Sequence, residues 1–186
     1  MAMPRPKLHH LAALSLPVLA VAGYTVWSRR SPVGNPLVPE PLKPVDLNAY
    51  LGRWYEVARY EQAFEKGCEG VSAEYRLRPD GKIDVVNSCR APDGKFRTAR
   101  GTAKIVPGSQ GAKLKISFYG PLYIGNYWVM DHAEDYSWSI VGDPTGRYLW
   151  LLSRQQVPEE MERHSLIKRA TALGYDTSRL VITTQP

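Results

Sequence analysis

From Val71 to Arg78 the chain alternates without a fault, with Val71, Ala73, Tyr75 and Leu77 on one side and Ser72, Glu74, Arg76 and Arg78 on the other. A period of two is the repeat of a β-strand with one dry face; a helix would scatter these apolar residues around its circumference. Pro79-Asp80-Gly81 then turns the chain, with the glycine free to take positive φ, and Ile83, Val85, Asn87 and Cys89 continue the inward set. The segment is therefore a hairpin.

The same pattern continues. Pro92-Asp93-Gly94 leads to a strand near Thr98 to Val106, and Pro107 to Gly111 leads to Leu114, Ile116 and Phe118 alternating with Lys113, Lys115 and Ser117. Further strands are expected at Ile124 to Asp131, Tyr136 to Gly142 and Arg147 to Ser153, and the run from Arg53 to Tyr60 makes the first of eight. Eight short antiparallel strands joined in sequence close into an up-and-down β-barrel, an all-β fold that leaves no free edge and has an interior wide enough for one small ligand. A two-sheet sandwich is the alternative, but it needs longer cross-overs than these links provide. One α-helix is expected outside the barrel, starting at Pro158 and ending before Gly174, with Met161, Leu166, Ala170 and Leu173 as its packing stripe. Leu180 to Thr184 reads as a last short strand or extended tail.

If the alternation holds, the interior is lined by Ala73, Tyr75, Val85, Asn87, Leu114, Ile116, Phe118, Tyr127, Val129, Trp138, Ile140, Tyr148 and Trp150. That wall is apolar and aromatic with a few polar tips, which suits an elongated amphiphile buried along its length and held by its head group near the mouth. Small Ala73 and Gly142 beside large rings suggest space within. The competing reading is a solid core, as in narrow barrels, and a bulge in any strand would reverse its parity.

Ahead of the strands, Arg5 and Lys7 precede an uncharged apolar run from Leu11 to Trp27, followed by Arg29, Arg30 and a Pro-rich stretch to Pro44. Residues 1–27 read as an export signal or an N-terminal anchor, residues 28–44 as a Pro-rich linker, and residues 45–186 as the folded domain. Ala20-Val21-Ala22 offers a cleavage site; without cleavage the run sits at the lower limit for a roughly 30 Å hydrocarbon core. Either outcome places the domain in the periplasm or cell envelope. In that oxidising setting the only two cysteines of the chain, Cys68 and Cys89, most simply pair, which requires Cys68 to lie in the entering loop or beside a bulge; two free thiols are the alternative. The net charge of +6 is spread among acidic residues without a basic cluster, so a membrane surface fits better than nucleic acid, and no metal or cofactor is expected. Lone His132 and His164 read as solvated.

Two motifs about a hundred residues apart now become informative. Leu51-Gly52-Arg53-Trp54-Tyr55-Glu56-Val57-Ala58 resembles the Gly-x-Trp motif of the lipocalin family, and Trp150-Leu151-Leu152-Ser153-Arg154 resembles the motif whose arginine packs over that tryptophan. Asp131 to Tyr136 is similar to the family's middle motif, with Glu134 where Thr is common, and Phe64-Glu65-Lys66-Gly67 and Phe118-Tyr119-Gly120-Pro121 are similar to the bacterial and apolipoprotein-D-like branch. The resemblance implies structural roles for Gly52, Trp54 and Arg154, which would shut one end of the barrel. It also implies a carrier of fatty acid or lysophospholipid linked to membrane maintenance, not an enzyme, working as a monomer or weak dimer. The alternatives are a lipid-modifying protein using Cys89 as its inward thiol, or a membrane-tethered interaction module.

Overall fold

The structure is a computed structural model that describes residues Pro32–Pro186. The apolar run of residues 1–27 and the first part of the linker lie outside the described residues. A four-residue helix, α1 (Leu47–Tyr50), is capped by the Asp46 side chain and leads into β1 (Gly52–Tyr60). Then follow β2 (Glu69–Leu77), β3 (Ile83–Arg90), β4 (Phe96–Ile105), β5 (Lys113–Ser117), β6 (Gly125–His132), β7 (Trp138–Gly142) and β8 (Leu149–Ser153). The helix α2 (Glu160–Ala172) and a short terminal strand, β9 (Leu180–Ile182), complete the chain. Each of β1 to β8 pairs antiparallel with its neighbour in sequence, and β8 and β2 both pair with β1, so the eight strands close.

The closure has a split seam. β2 meets β1 only from Gly52 to Tyr55; beyond that level β9 pairs with Ala58 to Tyr60, and Gly70 donates its N–H to Thr184 O at 2.8 Å. The Gln185 side chain bridges Glu56 O and Val71 O, so the C-terminal segment fills the gap between the two strands. The segment expected from Leu180 to Thr184 as a last short strand or extended tail thus forms a strand and completes the wall.

Two buried clusters flank that wall. Inside lie Trp54, Tyr75, Ile83, Val85, Ala103, Leu114, Ile116, Tyr127, Val129, Val141 and Leu152, while outside Val57, Ala58, Tyr60, Met130, Ile140, Leu149 and Leu151 pack against Leu166 and Ala170 of α2 and Tyr175 after it. The outer cluster corrects the parity of one strand. Trp138 and Ile140, expected inside, face α2, with the Arg169 guanidinium 4.7 Å from the Trp138 ring centre. The inward positions of β7 are Ser139 and Val141, and Gly142 lies under the Tyr175 ring rather than beside an internal space. The cause is the helix. It makes both faces of β7 dry, so the larger residues mark the outer face, and a register shift between Val129 and Asp131 of β6 breaks the count.

Two smaller expectations also change. Met161 is 80% exposed at the start of α2, while Leu166, Ala170 and Leu173 of the expected stripe do pack against the barrel. His132 is buried, stacked on Tyr136 with ring centres 4.4 Å apart and bonded to Pro44 O and Ala133 O, whereas His164 is exposed. The Pro-rich stretch is no free tether from Gly34 onward. Gly34 and Asn35 bond Gly146 O, the Asn35 amide donates to Leu173 O, and Lys43 Nζ donates to His132 O, which straps the segment along the barrel.

Candidate functional site

The two ends of the barrel differ in how their chain reversals are built. Tight turns at residues 78–82, 106–112 and 133–137, together with α1, form the base, whereas the loops at 61–68, 91–95, 118–124 and 143–148 surround the mouth. At the base Trp54 is fully buried and donates its indole N–H to Tyr50 O at 2.8 Å. The Arg154 guanidinium lies 3.7 Å from the Trp54 ring centre and donates to the carbonyls of Ala49, Tyr50, Leu51 and Arg53 at 2.7 to 3.1 Å. A planar cation with five donors can stack on an indole and close a ring of carbonyls at once, which an ammonium cannot. Gly52, at φ +91°, lets the chain leave α1 close to this guanidinium; a Cβ there would stand 3.4 Å from Nη1.

Above the Trp54 ring a floor of hydroxyls crosses the interior. Tyr75 donates to the Tyr127 hydroxyl at 3.0 Å, the Tyr127 and Tyr50 hydroxyls are 2.9 Å apart, and Tyr50 meets Ser139 Oγ at 3.1 Å. Burial pushes the Tyr50 phenol up to about 12 and raises those of Tyr75 and Tyr127 as well. The floor is therefore neutral, and each hydroxyl has a partner, as buried polar groups require.

The wall above it contains most of the expected lining. Ala73, Tyr75, Val85, Leu114, Ile116, Tyr127, Val129 and Trp150 belong to the inner cluster, and Tyr148 stacks on Trp150 with ring centres 5.6 Å apart. Asn87 faces inward between its cross-strand partners Ala73 and Ala99, and its Oδ1 is buried with no hydrogen-bond partner among the described residues. Phe118 lies beyond the end of β5, at the mouth, where its ring covers Gly101, the partner of inward Val85. Trp138 and Ile140 are outside. Cys68 and Cys89 are bonded, with Cα atoms 5.7 Å apart; Cys68 sits in the entering loop, and a register shift between Glu69 and Ser72 brings it to Cys89.

The sequence reading missed a charged group just inside the mouth. A bulge at Val57 puts Glu56 and Arg59 on the same inner face, where they are 2% and 1% exposed and 2.7 Å apart. Arg59 Nη1 also donates to Thr183 Oγ1 at 3.1 Å and Nη2 to the Glu65 carbonyl at 3.0 Å, while its buried Nε has no hydrogen-bond partner among the described residues. The Glu65 side chain turns from the 61–68 loop into the barrel and accepts from Trp150 Nε1 at 3.1 Å. Burial, with the Glu56 charge adding to it, pushes the Glu65 carboxyl up to about 8, so at neutral pH it holds its proton. The only sequence signal was the slip in alternation across Glu56-Val57-Ala58-Arg59.

Residues 45–185 match the model of the Lipocalin-like domain family. The chain is 44% identical over 153 residues to the outer membrane lipoprotein Blc of Vibrio cholerae, covering 80% of this chain and 89% of that protein. It is 33% identical over 150 residues to apolipoprotein D of Mus musculus, covering 75% and 77% of the two chains. Among solved structures, insecticyanin from the tobacco hornworm superposes with a TM-score of 0.67 at 21% identity over 84% of this chain and 90% of that one, a likeness of fold.

Proposed function

This chain belongs to the lipocalin-like family, and from that premise we propose that it binds and carries a small hydrophobic ligand within the barrel, a fatty acid or lysophospholipid. The observation that carries the reading is the inner wall between the hydroxyl floor and the charged mouth. There Ala73, Val85, Ala99, Gly101 and Ile116 present small or aliphatic surface under the Phe118 ring. An acyl chain laid along that wall gains about 0.8 kcal/mol per buried methylene before ordering costs, and a polar head would stand level with Asn87 and Trp150.

A role in membrane maintenance fits an envelope location, which the Vibrio cholerae relative's name as an outer membrane lipoprotein supports. Membrane contact would use the mouth, where Phe64 and Tyr119 on loops and Phe96 at the start of β4 are exposed, close in sequence to Lys66, Lys95 and Arg97. The enzymatic alternative loses its nucleophile, because Cys89 is bonded to Cys68. Native mass spectrometry of the full chain, purified without lipid removal, tests the proposal. A bound amphiphile of fatty-acid or lysophospholipid mass is expected; recovery of bare protein that also fails to take up added lysophospholipid would overturn it.

A further inference from the structure

One stretch of β4 has a partner strand on one side only. β4 runs ten residues, Phe96–Ile105, but β5 runs five and ends at Ser117, opposite Thr102. The register decides where the remaining backbone groups point. Ala91 N donates to Lys95 O at 2.9 Å, so in this antiparallel hairpin Arg97, Ala99 and Gly101 exchange hydrogen bonds with β3, whereas Phe96, Thr98 and Arg100 turn their N–H and C=O groups the other way. The β5 side gives the same phase. Val106 N donates to Lys113 O at 2.9 Å, which makes Thr102 the last residue bonded to β5 and leaves Arg100 next in the series. Among the described residues no group bonds the N–H of Phe96, Thr98 or Arg100, and all three residues are exposed. The open stretch lies at the mouth, between the 91–95 loop and the Phe118 ring over Gly101.

The side chains that border this edge are cationic. Lys95 and Arg100 have no ion-pair partner among the described residues, and the guanidinium of Arg90, opposite Phe96, lies 5.5 Å from that ring centre rather than on a carboxylate. The acids within reach are engaged, Asp93 with Arg97 and Asp84 with Arg78. We propose that the free edge of β4 is a docking site for an extended polypeptide segment with acidic side chains at alternate positions, which adds to the sheet as an antiparallel strand beside the mouth. Backbone pairing supplies the binding, and the charges choose the partner. A residue opposite Arg100 shares its hydrogen bonds and its face of the sheet, so a carboxylate there meets the guanidinium on the outer side. A second copy of this chain fits worse, because it would set Lys95, Arg97 and Arg100 against the same three cations in a chain of net charge +6. Docking here needs nothing inside the barrel, so it stands apart from the carrier role.

The test uses the full chain and a short fluorescein-labelled peptide of alternating glutamate and threonine, followed by fluorescence anisotropy. This peptide should bind at least about tenfold more tightly than its lysine counterpart, and more weakly as salt is raised. Methylating the glutamate amides, which would face β4, should cost at least about tenfold, whereas methylating the threonine amides, which would face water, should cost less than about threefold. In hydrogen exchange of the free protein the Thr98 and Arg100 amides should exchange at least about tenfold faster than those of Arg97 and Ala99, and slow to match them once the peptide is bound. Thr98→Pro deletes an outward N–H and leaves the ladder to β3 in place, so it should fold yet lose affinity for the peptide by at least about tenfold. Arg100→Glu should reverse the preference and take the lysine peptide over the glutamate one. The proposal is overturned if the two peptides bind alike, if Thr98 and Arg100 are already protected in the free protein, or if both variants bind as the native chain does. It is overturned as well if protection of those amides grows with protein concentration alone, which would assign the edge to a second copy, or if phosphatidylglycerol vesicles protect them and the peptide does not.

Discussion

The base and the mouth of this barrel are both closed by an arginine, yet the two arrangements are opposite in kind. At the base Arg154 lies over Trp54 from outside and spends its donors on backbone carbonyls, above which sits a neutral floor of tyrosine hydroxyls. At the mouth Arg59 is inside, balanced by Glu56 and set beside a second carboxyl that belongs to a loop. Carbonyl caps have no other state to move to. A carboxyl held on a loop by a proton does, since losing that proton places two negative charges side by side. The base thus rests on fixed carbonyls, whereas the mouth carries a buried ion pair beside a carboxyl that titrates.

That contrast can be broken most severely at the base. Trp54→Ala removes a fully buried indole from beneath the guanidinium and should cost about 3–5 kcal/mol in urea unfolding; a loss under about 1 kcal/mol would mean the base is no plug. Next comes the covalent tie at the mouth. Replacing Cys68 and Cys89 together by alanine opens a bond that spans 21 residues, and should cost about 2–4 kcal/mol while freeing the entry to β2. Unchanged stability under reducing conditions would deny the bond a role in holding the loop.

A smaller effect comes from Glu65, whose folded-state carboxyl is raised to about 8 from an ordinary value of 4.5. Its protonated form is favoured by folding, so its contribution is complete below about pH 4.5 and is lost as pH rises through 8. Relative to Glu65→Gln, the native protein should lose about 1–2 kcal/mol between pH 5 and 9, a figure discounted because the loop is half-buried. Parallel stability profiles for the two proteins would contradict a protonated Glu65. Smallest of all, Tyr75→Phe deletes one donor from the hydroxyl floor and should cost about 1 kcal/mol at any pH below 9, which distinguishes the static base from the titrating mouth.

The same physical asymmetry explains what was legible in the sequence. Strands β2, β3 and β5 have one wet and one dry face, and there alternation places Tyr75, Val85, Leu114 and Ile116 as the structure does. Alternation fails where both faces are dry. α2 covers the outer side of β7, so Trp138 and Ile140 are as apolar as any lining residue while pointing away from the interior. It fails again at bulges, because one extra residue reverses parity. The bulge at Val57 hides Glu56 and Arg59 in a segment that otherwise reads as an ordinary first strand, and the shift near Met130 does the same for β6. Glu65 could not have been found by periodicity, since it sits on a loop and enters the barrel through tertiary contacts alone.

The central claim, that a ligand enters the barrel and places its head beside Trp150, has a direct test in tryptophan fluorescence with an amphiphile brominated near its head group. Trp150 lies inside and Trp138 lies outside under α2. Quenching should therefore persist in Trp138→Phe and be largely lost in Trp150→Phe. Quenching that survives in Trp150→Phe and vanishes in Trp138→Phe would put the ligand on the outer face, beneath the helix, and contradict the account.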